Sequence, residues 1–167
     1  RQVMLASVAT ILVLLFGMMV AYAMRLFPGT ASRWFYRFST MGYAAPGTVI
    51  AIGIMIVSGA ADRFFGQVFS SLFGVSTGLL MIGSGAAIIY AYVARFLAIS
   101  AGGIDAGLER IPQSLDHASR TLGRGVTATF CQVHLPLSKT AIVAAGLLVF
   151  VDCVKELPAT LLLRPLN

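Results

Sequence analysis

Two of the six acidic residues in this 167-residue chain, Asp152 and Glu156, fall in an otherwise apolar stretch. They are four residues apart, so a helix sets both carboxylates on one face, and Lys155, three residues from Asp152, is placed to neutralise it. A charged side chain in lipid costs about 3 kcal/mol or more, so such residues face a bundle interior, an aqueous path or the interface. Pro158 lacks the N–H that would bond the Val154 carbonyl, so it opens the helix beside these charges. Two roles follow for Asp152, Lys155, Glu156 and Pro158: they line a translocation path or its outer gate, or they form a structural ion pair that joins helices or snorkels to the surface.

Other chemistry is excluded by what is missing. His117 and His134 have no Cys, Asp or Glu at ligand spacing and read as exposed or packing residues; Cys131 and Cys153 have neither metal nor redox spacing. No nucleophile elbow and no Walker glycine loop is present. The sequence therefore offers no catalytic residue, no metal site and no cofactor, and the chain does not hydrolyse ATP itself.

The elements that must position these charges are membrane spans. Hydrophobic residues are 58% and charged residues 11% of the chain, against roughly a quarter charged in soluble domains. The fold class expected is all-α and polytopic, with about four transmembrane helices, at about 3–24, 38–60, 76–97 and 137–157. Asp62-Arg63 interrupts the apolar run after the second span, and 66–74 reads as a loop or an interfacial piece. The last stretch is apolar only from Thr140 to Val151, and hydropathy leaves both a full span and a re-entrant segment open. Gly47 with Ala51, and the glycines and alanines of 78–87, offer small-residue packing faces. The chain begins at Arg1 and stops at Asn167 without a polar tail, which reads as a piece of a longer protein.

The net charge of +6 does not indicate a nucleic-acid partner, because the basic residues are scattered beside apolar segments. The positive-inside rule accounts for them. Arg25, Arg33 and Arg37 follow the first span, and Arg95, Arg110, Arg120, Arg124 and Lys139 follow the third, so both loops face the cytoplasm.

The polar loop, about 98–136, is patterned. Ile104, Leu108, Ile111, Leu115, Ala118 and Leu122 recur at spacings of 4, 3, 4, 3 and 4, one face of helical structure that a partner could meet. Pro112 predicts a helix ending near Ile111 and another starting there. Gly123 predicts the stop of that second helix, with Gly125 loosening the turn. Val126, Phe130 and Val133 form a further short apolar face, ended by Leu135-Pro136 before the last span.

This loop resembles the EAA loop of ABC importer permeases, whose pattern is Glu-Ala-Ala, three residues, Gly, nine residues, Ile-x-Leu-Pro. Here His117-Ala118-Ser119 is followed by three residues and Gly123, then by nine residues and Val133-His134-Leu135-Pro136. His117 stands where the family has Glu, with Asp116 adjacent, and Ser119 stands where it has the second Ala. A second segment, Leu148 to Pro165, resembles the ferric-iron branch of these permeases through its Phe150-Val151-Asp152 and Lys155-Glu156-Leu157-Pro158-Ala159-Thr160 run.

The resemblance implies a partial permease domain over 1–167, one half of a longer transporter, in a bacterial inner membrane. It implies a loop seated in a groove of an ATP-binding cassette ATPase, with Gly123 as the turn and Ala118 as the small packing residue. It also implies an extracytoplasmic substrate-binding protein, a second permease half or subunit, and ferric iron as cargo, a hard cation suited to carboxylate oxygens. A secondary transporter or channel would account for the charged, broken last helix but not for the loop spacing.

Overall fold

The structure is a computed structural model that describes residues 2–73 and 85–156. Those residues are helical: α1 Gln2–Leu26, α2 Thr30–Thr40, a 3-10 turn Met41–Ala44, α3 Gly47–Phe73, α4 Gly85–Glu109, α5 Gln113–Thr121, α6 Val126–Thr129, a π turn Phe130–His134, and α7 Leu135–Lys155. Four helical stretches, Val3–Leu26, Gly47–Phe69, Ala86–Glu109 and Val126–Lys155, are long and apolar enough to cross a bilayer.

Burial follows the pattern of helices packed within a membrane. Met4, Ile11, Leu15 and Met19 on α1 and Val143, Leu147 and Leu148 on α7 are exposed, while the packed interior holds small residues: Ala6, Ala9, Ala51, Ala87, Ala91, Ala101 and Ala145. Between lipid-solvated helices there is little hydrophobic driving force, so close backbone approach and van der Waals packing hold the bundle.

α4 is the central post. α1 runs parallel to it, with Gly17 against Ser100 and Arg25 at Leu108. α7 runs antiparallel, with Gly103 against Ala145 and Gly107 against Ala141. One cluster joins Val13, Ile54, Ile88, Tyr92, Phe96, Val149 and Cys153; a second, at the loop end, joins Ala21, Ile104, Leu108, Ile111 and Ala145.

The chain from α2 into α3 climbs antiparallel to α4 in two pieces. Tyr36 lies by Gly102, Gly42 against the Ala94 backbone, Gly47 beside Arg95, and Ala51 and Ile54 pack with Ala87, Ile88 and Ala91. Pro46 has no N–H, so the helix stops at the 3-10 turn and restarts with Val49 and Ile50 donating to the Pro46 carbonyl at 3.0 and 3.2 Å.

Several expected boundaries move. α3 passes through Asp62-Arg63 and helix continues to Phe73, because charge marks a change of solvent rather than the end of a helix. α4 does not stop near Leu97 but continues to Glu109, so the 98–109 part of the expected loop belongs to a span-length helix. Arg95 is thus an interior position of α4, not a loop charge. The amphipathic face divides at Pro112, whose extended ψ of 140° redirects the chain. Ile104, Leu108 and Ile111 point into the bundle, whereas Leu115 and Leu122 are exposed. Leu135-Pro136 does not end a helix either. The helix widens into the π turn, with the Leu135 N–H bonding the Phe130 carbonyl five residues back. That wider turn relieves the clash of the Pro136 ring with the carbonyl four residues back. The small-residue faces expected at 78–84 lie outside the described residues.

A Cβ at Gly107 would meet the Ala141 methyl, while one at Gly53 meets nothing within 4 Å. Gly107→Leu should therefore lower thermal stability in detergent by on the order of 1–3 kcal/mol, and Gly53→Leu should change it little. Equal losses in thermal unfolding would refute α4–α7 contact as the reason.

Candidate functional site

The loop end of the bundle is tied together by one guanidinium. Arg25, in the last turn of α1, donates from Nη1 to the Leu108 carbonyl and from Nη2 to the Ile111 carbonyl at 2.9 Å. These carbonyls lie at and just past the C-terminal end of α4, where the Leu108 carbonyl also accepts the Ile111 N–H at 3.0 Å and a cation meets the negative end of the helix dipole. The same guanidinium contacts Asp116 Oδ2 on α5, Nε at 3.1 Å and Nη2 at 3.0 Å.

The other carboxylate oxygen, Asp116 Oδ1, lies 2.6 Å from His134 Nε2 in the π turn. An ionised carboxylate only accepts, so His134 donates from Nε2. His134 is buried, its side chain 2% exposed, and its Nδ1 has no hydrogen-bond partner. The Tyr22 ring lies against Phe130 and His134, with centroids at 4.6 and 5.4 Å, and the Tyr22 hydroxyl donates to the Val126 carbonyl at 3.2 Å. Asp116 thus connects α1, the end of α4, α5 and the root of α7. Burial alone would push the Asp116 carboxyl up; the hydrogen bonds from Arg25 and His134 outweigh it and hold the group below its usual range.

α5 itself ends in a Schellman turn. Gly123 has φ of +76°, its N–H bonds the Arg120 carbonyl at 2.9 Å, and the Arg124 N–H bonds the Ser119 carbonyl at 3.1 Å. Ser119 is buried and its hydroxyl meets Thr129 at 2.7 Å. Within this chain Ser119 packs inward while Ala118 is exposed, because the face of α5 that turns inward runs through Asp116 and Ser119. His117 is also exposed, and Leu122 stands 76% exposed. Val133 is half-buried, and Leu135 and Pro136 are exposed.

The second charged group lies deeper. Arg95 Nε is 3.4 Å from Glu156 Oε2, and Arg95 Nη1 donates to the Ala45 carbonyl at the 3-10 turn, 3.2 Å away. Glu156 caps the C-terminal end of α7, its side chain 10% exposed. Asp152 is half-buried and Lys155 exposed, and no ion pair joins them among the described residues. The helical face expected to hold both carboxylates is divided: α7 ends at Lys155, and Glu156 turns to Arg95. Pro158 lies outside the described residues. His134 and Arg95 are the residues that sequence reading missed. His134 is paired across 18 positions, and Arg95 was counted with a loop; its only signal was a lone arginine within an apolar run.

With this geometry in hand, the chain matches, over residues 13–164, the family described as binding-protein-dependent transport system inner membrane component. The chain belongs to this family. It is a multi-pass inner-membrane transport component rather than an enzyme. It is also similar to two proteins of Haemophilus influenzae. One is a ferric transport system permease protein by its name, FbpB 1, 29% identical over 160 residues and 95% of this chain. The other is the Fe(3+)-transport system permease protein FbpB 2, 28% identical over 130 residues and 78% of this chain. The chain spans 22% of the length of each.

Asp116→Asn removes the charge facing Arg25 and His134. It should destabilise the protein by on the order of 2 kcal/mol, the scale of a hydrogen bond to a charged group. A carboxyl whose folded pKa is lowered stabilises above its ordinary value of 3.8 and loses that contribution as pH falls through the folded value. The wild-type advantage in detergent melting should therefore be full at about pH 5 and shrink only well below it. An advantage that vanishes between pH 7 and 5 would exclude the Asp116 carboxylate as its source.

Proposed function

We propose that this chain is part of the permease of an ABC importer, with the loop side in the cytoplasm and an ATPase subunit seated on α5 and the Gly123 turn. One observation carries the reading: the back of α5 is fixed through Asp116 while its front is left open. Leu115, His117, Ala118 and Leu122 are exposed on an element only nine residues long, which an isolated helix could not sustain without such anchoring. Asp116 takes the inward position and His117 the outward one, so the residue that replaces the motif Glu faces the partner. Val133, Leu135 and Pro136 root the loop in α7.

Through Arg25 and His134, movement of α5 reaches two spans at once, α1 and the helix that continues into α7. A substrate-binding protein would meet the opposite membrane face, and a second permease half or subunit would complete the path within the bilayer. Ferric iron is the cargo we favour. The support is the Phe150 to Pro165 segment and the printed names of the two relatives. Asp152, Lys155, Glu156 and Pro158 are then the residues of this chain assigned to the path.

Leu122→Glu places a charge on the exposed front without touching Arg25, Asp116 or His134. In the full-length transporter it should abolish co-purification of the ATPase and lose most ATP-driven uptake of radiolabelled ferric citrate, while detergent melting stays close to wild type. An ATPase retained at wild-type level would contradict docking on this face.

A further inference from the structure

The break in the second climbing segment does not lie at a membrane surface. Arg95, which faces it, is about 15 Å along α4 from Asp105 and about 21 Å from Glu109 at 1.5 Å per residue, which is inside a hydrocarbon layer of about 30 Å. Backbone groups at such a break have no water to turn to and must be satisfied by protein.

Here the satisfaction is electrostatic and two-sided. Arg95 Nη1 holds the Ala45 carbonyl on the near side of the break. On the far side, at the first residue of α3, Glu156 Oε1 and Arg95 Nη1 are the atoms that any Cβ on Gly47 would meet. A carboxylate thus sits at the positive end of α3 and a guanidinium at the carbonyl end of the preceding turn, each the favourable sign for its helix terminus. Arg95 Nε lies 3.4 Å from Glu156 Oε2, an ion-pair distance, and makes no hydrogen bond itself. Discontinuous helices whose ends meet charge inside the membrane are the usual makings of an ion path.

We propose that Arg95 and Glu156 form the closed gate of the path, in which the Arg95 guanidinium occupies the carboxylate that a hard cation takes during passage. The inference rests on the permease reading and adds to it Arg95, the break at Ala45–Gly47, and a sequence of events. In the resting state Arg95 neutralises Glu156 and keeps the ends of the broken helix together. A cation arriving at Glu156 displaces Arg95, which frees the Ala45 carbonyl and lets the α2–α3 junction part from α4. Gly47 is required because a side chain there would stand between the pair and the break.

The test uses the full-length transporter with its ATPase and binding protein in proteoliposomes, supplied with radiolabelled ferric citrate with and without ATP. Arg95→Gln should raise ATP-independent uptake about tenfold, since it removes both the latch and a positive charge from a cation path. Glu156→Gln should abolish uptake while ATP hydrolysis is still stimulated by the loaded binding protein. The double variant Arg95→Gln/Glu156→Gln should also be silent, because the receiving carboxylate is gone.

A purely structural pair makes the opposite prediction: neither single variant leaks, and the neutral double variant recovers ATP-driven uptake. That result would overturn the gate. If Arg95→Gln fails to assemble by gel filtration, Glu156→Gln decides alone, and wild-type uptake in it would overturn the gate. Absence of ATP-driven uptake by the wild-type complex would instead defeat the permease reading for this cargo.

Discussion

A helix that stops inside or at the edge of lipid leaves carbonyls that no water can reach, and this chain answers that constraint with arginine. Arg25 takes the Leu108 and Ile111 carbonyls at the end of α4, and Arg95 takes the Ala45 carbonyl at the break before α3. Each guanidinium then needs an acid, and each acid comes from a distant part of the chain: Asp116 from α5 and Glu156 from the end of α7. The tertiary structure follows from these two solutions. Small residues let α1, α4 and α7 approach, and the arginines fix their register.

The two nodes differ in what they permit. At Asp116 the carboxylate uses both oxygens on short contacts, to Arg25 and to His134, and the Tyr22 ring lies against both His134 and Phe130. Such a node moves as a unit. At Glu156 the contact to Arg95 is longer, and the guanidinium Nε lacks a hydrogen-bond partner. In the gate proposed above, the first node receives motion and the second yields to it.

Sequence pattern carried the local features well. Pro112 and Gly123 bound α5 as their backbone chemistry requires, and uncharged length located the first apolar helix closely, whereas the second and third run further along the chain than expected and the fourth begins earlier, at Val126. Long-range partners were not legible. Nothing in the spacing of Asp116 and His134 indicates that a π turn brings them together, since a π turn has no strong sequence signature. The charge count also misplaced Arg95, assigning it to the loop after a span whose expected bounds already contained it, whereas a paired charge is tolerated within a span. Ile104 and Leu108 obeyed the expected helical period but faced the bundle, because period identifies a face and not its neighbour.

The passage of helix through Pro136 has a mechanical side. Because the π turn replaces a break, α6, the turn and α7 form one rod over Val126–Lys155, 30 residues long. At 1.5 Å per residue it measures about 45 Å, so a tilt of roughly 5° at its loop end displaces the far end by about 4 Å. The rod carries His134 in its first third, and Glu156 follows its far end. Between His134 and Glu156 the arm is about 33 Å at 1.5 Å per residue, so the same tilt moves Glu156 by about 3 Å, comparable with the 3.4 Å between Arg95 and Glu156. The fold thus sets the leverage between its two charged nodes by helix length alone, and shortening or hinging that rod would alter the stroke without touching either node.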